Sequence, residues 1–452
     1  MSIASKEEPP APSTVIRAGA PDFDRARQAF NLAVDQRPRQ IAYPLDAREV
    51  ATLIRGAREQ GLRIAAQRAG HGAQPIDWER PALLLRTDAM QGVKIDAVAR
   101  TARVNAGAKW DDIVDDLSEL GLAALHGSAR DIGIAGYSLG GGMGWLGRKH
   151  GLQANSVTAI ELVTADGELV RADHENEPEL FWALRGGGGN FGVVTALEFD
   201  LFPVEELYAG ALFYDFERGG EVLHAWREMT ADAPDEMTSV FKLLQLPDLP
   251  ELPEPVRGKS FAVVTAAFLG GETEGAALVG PLRRLGPGMD TFAMVPPVAL
   301  SYLAMDPEDP LPYTSSHHLM GDLPAEAVEK LIEIGGAGSG SPLTMIELRH
   351  AGAALARPAS HHGAYSTMDG EYVLFALGGI LALEDAPVMV EAVDRVAAAM
   401  EPWRSGWYLN FVERNFDMSR AFDAETWRRL QETKARIDPD GVFLANHEIT
   451  LA

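Results

Sequence analysis

The first regular alternation of apolar and polar positions falls at 40–44, Gln-Ile-Ala-Tyr-Pro, a short strand stopped by proline. The period then lengthens. Over 46–59, Val50, Leu53 and Ile54 share one helical face, Asp46 is placed as the cap, and Gly61 ends the run. Strands follow at 62–67 and 82–86, and 93–96 with 101–105 reads as a hairpin. Residues 110–120 have the spacing of an amphipathic helix, with Asp111 and Asp112 in its first turn. Strands at 157–163 and 168–172 pair across Asp166-Gly167, a dipeptide suited to a tight hairpin turn. Pro178 opens a short helix over 179–184, and a strand over 193–202 runs to Pro203.

Beyond 204 the pattern changes to longer strands and amphipathic helices. Strands are predicted at 208–214, 260–269, 313–319, 342–349 and 372–380, with helices over 220–230, 325–334 and 386–400. The proline-rich 246–255 reads as a loop. This is the pattern of an antiparallel sheet backed by helices, an α+β arrangement. The chain closes with 407–411, a helix over 424–435, and 438–447.

Three glycine-rich stretches interrupt the first half. Gln67-Arg-Ala-Gly-His-Gly-Ala-Gln-Pro75 follows a strand and reads as a turn bearing a surface histidine or as a bend that brings bare N–H groups to a phosphate. In the second reading His71 is a nucleophile or ligand. From Gly133 to Gly147 seven residues are glycine, a density that reads as loop throughout. Arg185-Gly-Gly-Gly-Gly-Asn-Phe-Gly192 is the third. Gly142–Gly147 and Gly187–Gly192 match the dinucleotide fingerprint in letters but lack its strand-before, helix-after context. Gly136-Tyr-Ser-Leu-Gly140 matches a nucleophile elbow but lies inside the glycine run. His317-His318 and His361-His362 are adjacent pairs, each able to offer one side chain to a site, so no metal is expected.

Composition narrows the classes. The 452 residues are 46% hydrophobic and carry a net charge of −25, which disfavours nucleic acid and anionic membrane as partners. There is no cysteine, so no disulfide, thiolate metal site or cysteinyl link is available. The polar, proline-rich residues 1–20 read as a mobile tail without a signal peptide's apolar region, and the chain is expected to be cytoplasmic. Three glycine loops in one half suit a large anionic cofactor with a flat ring, such as a flavin dinucleotide.

In ordered succession these motifs resemble the berberine-bridge-enzyme-like branch of the vanillyl-alcohol-oxidase family. Arg68-Ala-Gly-His71 resembles that family's Arg-x-Gly-Gly-His loop, with one glycine displaced. Gly136 to Leu152, Arg185 to Val194, Tyr408-Leu-Asn-Phe411 and Asp438 to Asn446 resemble its later motifs. The resemblance implies a tail and N-terminal helix (1–34), a PCMH-type FAD-binding domain of two α+β subdomains (35–205), a substrate domain (206–403), and a C-terminal segment (404–452) returning to the FAD domain. It implies FAD joined to His71, with Ala129 standing where many relatives have a second, cysteinyl attachment. Cofactor contacts are expected from Arg68, Ala69, Gly70, His71, Gly72, Ala73, Gly133, Gly136, Tyr137, Gly140, Gly141, Gly142, Gly144, Trp145, Gly192, Val194, Asn410 and Asn446.

The resemblance further implies an oxidase that moves hydride from a C–H beside a hydroxyl or amine to flavin, with O2 giving H2O2. Tyr408 is the first candidate base, which requires a lowered pKa. Glu347 is the second, and Glu347–Arg349 reads either as a pocket pair or as an exposed same-face ion pair. His318 and Arg349 are expected to line the substrate pocket. Phe411 and Met143 stand where relatives often carry hydroxyls, which argues against a two-tyrosine mechanism. A small metabolite is the expected substrate, and a monomer or homodimer the expected state. A dehydrogenase or monooxygenase acting on a polyketide-like or aromatic compound, and a non-catalytic FAD-binding protein, are the alternatives.

Overall fold

The computed structural model describes residues 15–250 and 254–451. Residues 1–14 of the expected tail and 251–253 of the expected loop lie outside the described residues. Residues 15–17, read as tail, instead form a strand, Val15–Arg17, antiparallel to Gln40–Ala42. Ile16 supplies the reason, since it buries its side chain with Ile41 and Leu84.

That strand edges a four-stranded sheet in which Gln40–Ala42, Ala82–Arg86 and Arg63–Gln67 run parallel. The helix Ala47–Glu59 crosses between them. The Asp46 carboxylate accepts the N–H groups of Arg48 and Glu49, and Val50, Ala51, Ile54 and Ala57 are buried. A second, antiparallel sheet follows in the order Val93–Asp96, Thr101–Asn105, Val193–Asp200, Val157–Val163, Leu169–Asp173. The C-terminal segment returns to the first sheet, where the Leu444 N–H donates to the Ile64 carbonyl.

The third sheet has nine strands, all pairing antiparallel. Its centre runs Ser260–Phe268, Met237–Gln245, Met345–His350, Tyr372–Gly379, Tyr313–Met320. Helices Gly219–Ala231, Ala325–Gly335 and Ala386–Met400 cover one face, over a core that includes Trp226, Phe241, Leu331 and Val393. The other face turns toward the glycine-rich half. No described helix is long and apolar enough to cross a membrane.

Four sequence expectations need correction. The strand Met237–Gln245 was not anticipated, although Thr238, Val240 and Lys242 alternate with Ser239, Phe241 and Leu243. The helix Glu272–Arg283 was also missed, because Gly275, Gly280 and Pro281 weaken its pattern. The single helix over 110–120 is a 3₁₀ turn, Trp110–Asp112, and a helix, Val114–Glu119, separated at Ile113. Finally, the 133–147 stretch is not loop throughout, since Ile134–Leu139 is helical. Ile134, Tyr137, Ser138 and Leu139 are buried there, and that packing outweighs the roughly 1 kcal/mol cost of Gly136 in a helix.

Candidate active site

The strand Arg63–Gln67 delivers the chain into the first glycine bend. Gly70 has φ +86, and a Cβ there would lie 2.6 Å from the Gln67 side chain. The Phe30 N–H donates to the Ala69 carbonyl (3.0 Å), and the Ala73 N–H to Gly70. His71 is thereby held between two partners. Its ring stacks on Phe30 with centroids 3.9 Å apart, and its Nε2 lies 3.0 Å from Asp131 Oδ2. Nδ1 has no hydrogen-bond partner among the described residues. Gly72 faces the amide of Asn446, 3.0 Å from the position a Cβ would take, and Gly188 of the third glycine stretch flanks the same amide. Arg68 is turned inward. It pairs with Asp88 (3.0 Å), donates to the Gly107 carbonyl (2.6 Å), and packs on Gly133.

The second glycine stretch is read by the C-terminal motif. Asn410 Nδ2 donates to the Tyr137 carbonyl (3.0 Å), and its Oδ1 lies 1.8 Å from where a Cβ on Gly140 would be. Gly141 and Gly142 have positive φ, and a Cβ on Gly144 would lie 1.9 Å from the His126 carbonyl oxygen. Glycine is therefore required here for close approach. Tyr137 donates to the Leu125 carbonyl and packs edge-on to Trp110, and Trp145 is buried beside Leu125. Gly136 has open space around it. Gly192 packs against Leu162 and Val163, and Val194 shares a core cluster with Tyr137 and Met143. Ser138 Oγ is buried without a partner, so the nucleophile-elbow letters carry no activated serine.

Tyr408 is 1% exposed and meets this stretch from above. Its hydroxyl oxygen accepts the Met143 N–H (2.8 Å) and Asn410 Nδ2 (3.2 Å). Burial pushes the hydroxyl above the ordinary tyrosine value, and the Met143 N–H, Asn410 and Arg349 offset this only in part. The lowered pKa expected of a tyrosine base is absent.

Glu347 and Arg349 are not the exposed pair that one reading allowed. Glu347 is 1% exposed, held by Arg349 Nε and by Lys242 Nζ at 3.1 Å. Lys242, itself buried, donates to the Ala304 carbonyl (2.9 Å). Burial alone would raise Glu347, but Arg349 and then Lys242 outweigh it and keep the carboxyl below its ordinary value. The Arg349 guanidinium lies 5.0 Å from the Phe411 ring centroid and lines a cavity of about 10 Å³ with Ser128, Met143, Trp145 and Val240.

On the strand Tyr313–Met320, parity reverses one expectation. Ser316 and Met320 face the covering helices, and His318 shares that side, near Glu401 (3.7 Å) and Trp407. His317 holds the face assigned to His318: its Nε2 accepts the Tyr408 N–H (3.3 Å), and burial depresses it to about 3. On that same face Glu413 accepts the hydroxyls of Tyr313 (2.8 Å) and Ser315, and burial raises its carboxyl. Sequence reasoning did not single out Lys242, Asp131 or Glu413, and it weighed His317 only as a metal ligand. Strand parity would have found Lys242 and His317, whereas nothing in the local pattern marks Asp131.

These residues suit a flat, anionic dinucleotide. Two bare-backbone bends, the unengaged Asn446 amide and the unengaged Nδ1 of His71 lie on the glycine-rich half, and Tyr408 and the Glu347 network close over them from the nine-stranded sheet. Residues 38–173 match the family model described as an FAD binding domain. An FAD-linked oxidoreductase of Dictyostelium discoideum is 26% identical over 96% of this chain and 94% of its own. The (R)-6-hydroxynicotine oxidase of Paenarthrobacter nicotinovorans is 37% identical over 37% of each chain. The solved structure of BBE-like 1 from Physcomitrella patens superposes with a TM-score of 0.84 over 97% of both chains at 18% identity. The chain therefore carries an FAD binding domain over residues 38–173 and has the α+β fold of the berberine-bridge-enzyme-like structures.

Proposed function

We propose that this chain is an oxidase that takes hydride from a C–H bond beside a hydroxyl or amine of a small organic molecule, with O2 as acceptor and H2O2 as product. In this reading FAD is attached through His71 alone, and the absence of cysteine removes any second tether. The observation that carries the reading is the meeting of Tyr408 with the Met143 N–H, where Arg349, paired with the buried carboxylate of Glu347, acts on the hydroxyl electrostatically. FAD supplies the hydride acceptor when bound. Tyr408, still protonated at neutral pH, donates its hydrogen bond to the substrate's oxygen or nitrogen and orients it. Glu347 is the group present as a carboxylate, so it receives the substrate's proton, and Arg349 holds it in place. The relative that oxidises 6-hydroxynicotine supports an amine or alcohol as the reacting group.

The deciding experiment is an anaerobic screen of alcohols, amines, sugars and phenolic polyketide-like compounds, read by loss of flavin absorbance at 450 nm (about that of free flavin). Rapid reoxidation in air with stoichiometric H2O2 supports an oxidase. Slow reoxidation, or an oxygenated product, replaces that assignment with a dehydrogenase or a monooxygenase. A yellow band that survives acid denaturation in the wild type and vanishes in His71→Ala tests the attachment. The compartment follows from cell fractionation, with cytoplasmic protein expected.

A further inference from the structure

We propose that Asp131 is the positioning residue that prepares His71 for attachment to the flavin, by accepting the Nε2–H hydrogen bond so that the Nδ1 lone pair is available. The inference rests on the reading of His71 as the attachment point. Three observations carry it. Nε2 lies 3.0 Å from Asp131 Oδ2, and the tautomer of a histidine is set by the bond its other nitrogen makes. The ring cannot turn freely away, because Phe30 stacks on it at 3.9 Å and is itself tied to the bend through Ala69. Asp131 is 9% exposed, its Oδ1 has no hydrogen-bond partner, and no lysine or arginine pairs with it among the described residues. His71 is thus its one side-chain hydrogen-bond partner among the described residues. Glu413, which acts electrostatically on His71 from the opposite sheet, already accepts Tyr313 and Ser315 and carries a raised carboxyl.

A bond forms between Nδ1 and the 8α carbon as one C–H bond of that methyl group breaks and its proton leaves to solvent. The Nε2 proton stays in its hydrogen bond to Asp131, whose carboxylate offsets the positive charge left on the imidazole. Two electrons pass to the isoalloxazine, and O2 takes them with two protons as H2O2, which restores the oxidised ring. The aspartate of a Ser-His-Asp triad likewise fixes the tautomer of its histidine, without itself taking the proton, and an amide in its place holds the wrong tautomer.

The test uses full-length protein purified with FAD. Total flavin is read from absorbance, and attached flavin from the fraction retained after acid precipitation, followed over time in air. Asp131→Asn is expected to bind FAD to the wild-type level but to attach it about 10²–10⁴-fold more slowly, the range for loss of a positioned acid–base partner. Asp131→Glu restores part of the rate. Attachment by Asp131→Asn at the wild-type rate overturns the proposal and leaves the His71 linkage standing. Loss of FAD occupancy in step with attachment, unrelieved by Asp131→Glu, also overturns it, by showing a purely structural role. If the wild type holds no acid-stable flavin, or His71→Ala does, the linkage itself is refuted and the Asp131 proposal with it.

Discussion

Removing the charge of Glu347 tests both the packing of the site and its chemistry. The carboxylate is 1% exposed and holds two cations, Lys242 at 3.1 Å and Arg349. Glu347→Gln keeps the volume and leaves those buried cations with only the more distant Asp306, 4.0 Å from Lys242, as counter-charge, a change that costs up to about 3–5 kcal/mol. Unfolding entropy near 2.1 cal/mol/K per residue gives roughly 0.95 kcal/mol/K for the whole chain unfolding as one unit, so Tm should fall by up to about 3–5 °C at pH 7. Lys242→Met alone should cost a similar amount. In the Glu347→Gln background it should cost far less, because the buried ammonium it removes has already lost its nearest carboxylate. Differential scanning calorimetry of the four proteins gives the coupling directly.

The pH dependence follows from the same network. The folded-state pKa of Glu347 lies below its ordinary value of 4.5. Its contribution is therefore complete above about pH 4.5 and is lost as pH falls through the folded value. The Tm gap between wild type and Glu347→Gln should be constant from pH 8 to 5 and narrow as pH falls below the ordinary glutamate value of 4.5. In stopped-flow flavin reduction at pH 7 the variant should be slower by about 10²–10⁴-fold. A wild-type Tm, or additive losses in the cycle, would refute the buried network; an unchanged reduction rate with a lowered Tm would leave the network intact and remove Glu347 as proton acceptor.

The other predictions are separate from that network. Tyr408→Phe leaves the buried Met143 N–H without its acceptor, at a cost of about 1–3 kcal/mol in denaturant unfolding, and slows flavin reduction at saturating substrate. Gly144→Ala places a Cβ 1.9 Å from the His126 carbonyl oxygen, so the purified protein should retain less FAD and melt earlier; full flavin content with a wild-type melt contradicts the close packing. His317, His350 and His447 are buried and depressed to about 3, 3 and 4. The unfolded chain binds their protons first, so Tm should fall as pH drops from about 6.5 toward 4, and a melt series flat over that interval would count against it.

Local patterns revealed the helix that Asp46 caps and the hairpin at Asp166-Gly167, because each rests on residues adjacent in sequence. The corrected features depend on partners far away. Ile134–Leu139 is helical because the core holds it, against the propensity of Gly136. Glu347 looked capable of lying at the surface only because the strand bearing Lys242 went unseen; with Met237–Gln245 in register, Lys242 stands opposite Glu347. His318 and His317 differ by a single residue, and which of them faces the site depends on the direction of the strand's pleat, which the adjacent pair of identical letters conceals.

His71 shows the same division between sequence and fold in its chemistry. The bend that presents it follows from Gly70 and the end of the preceding strand, and both are local. The group that fixes its tautomer lies 60 residues away in a stretch with no periodic or motif signal, and the ring stacked against it lies 41 residues earlier. A glycine bend with a histidine therefore identifies where an attachment could form. The nitrogen left free to form it is set by Asp131 and Phe30, so replacing either should alter attachment while leaving the sequence of the bend untouched.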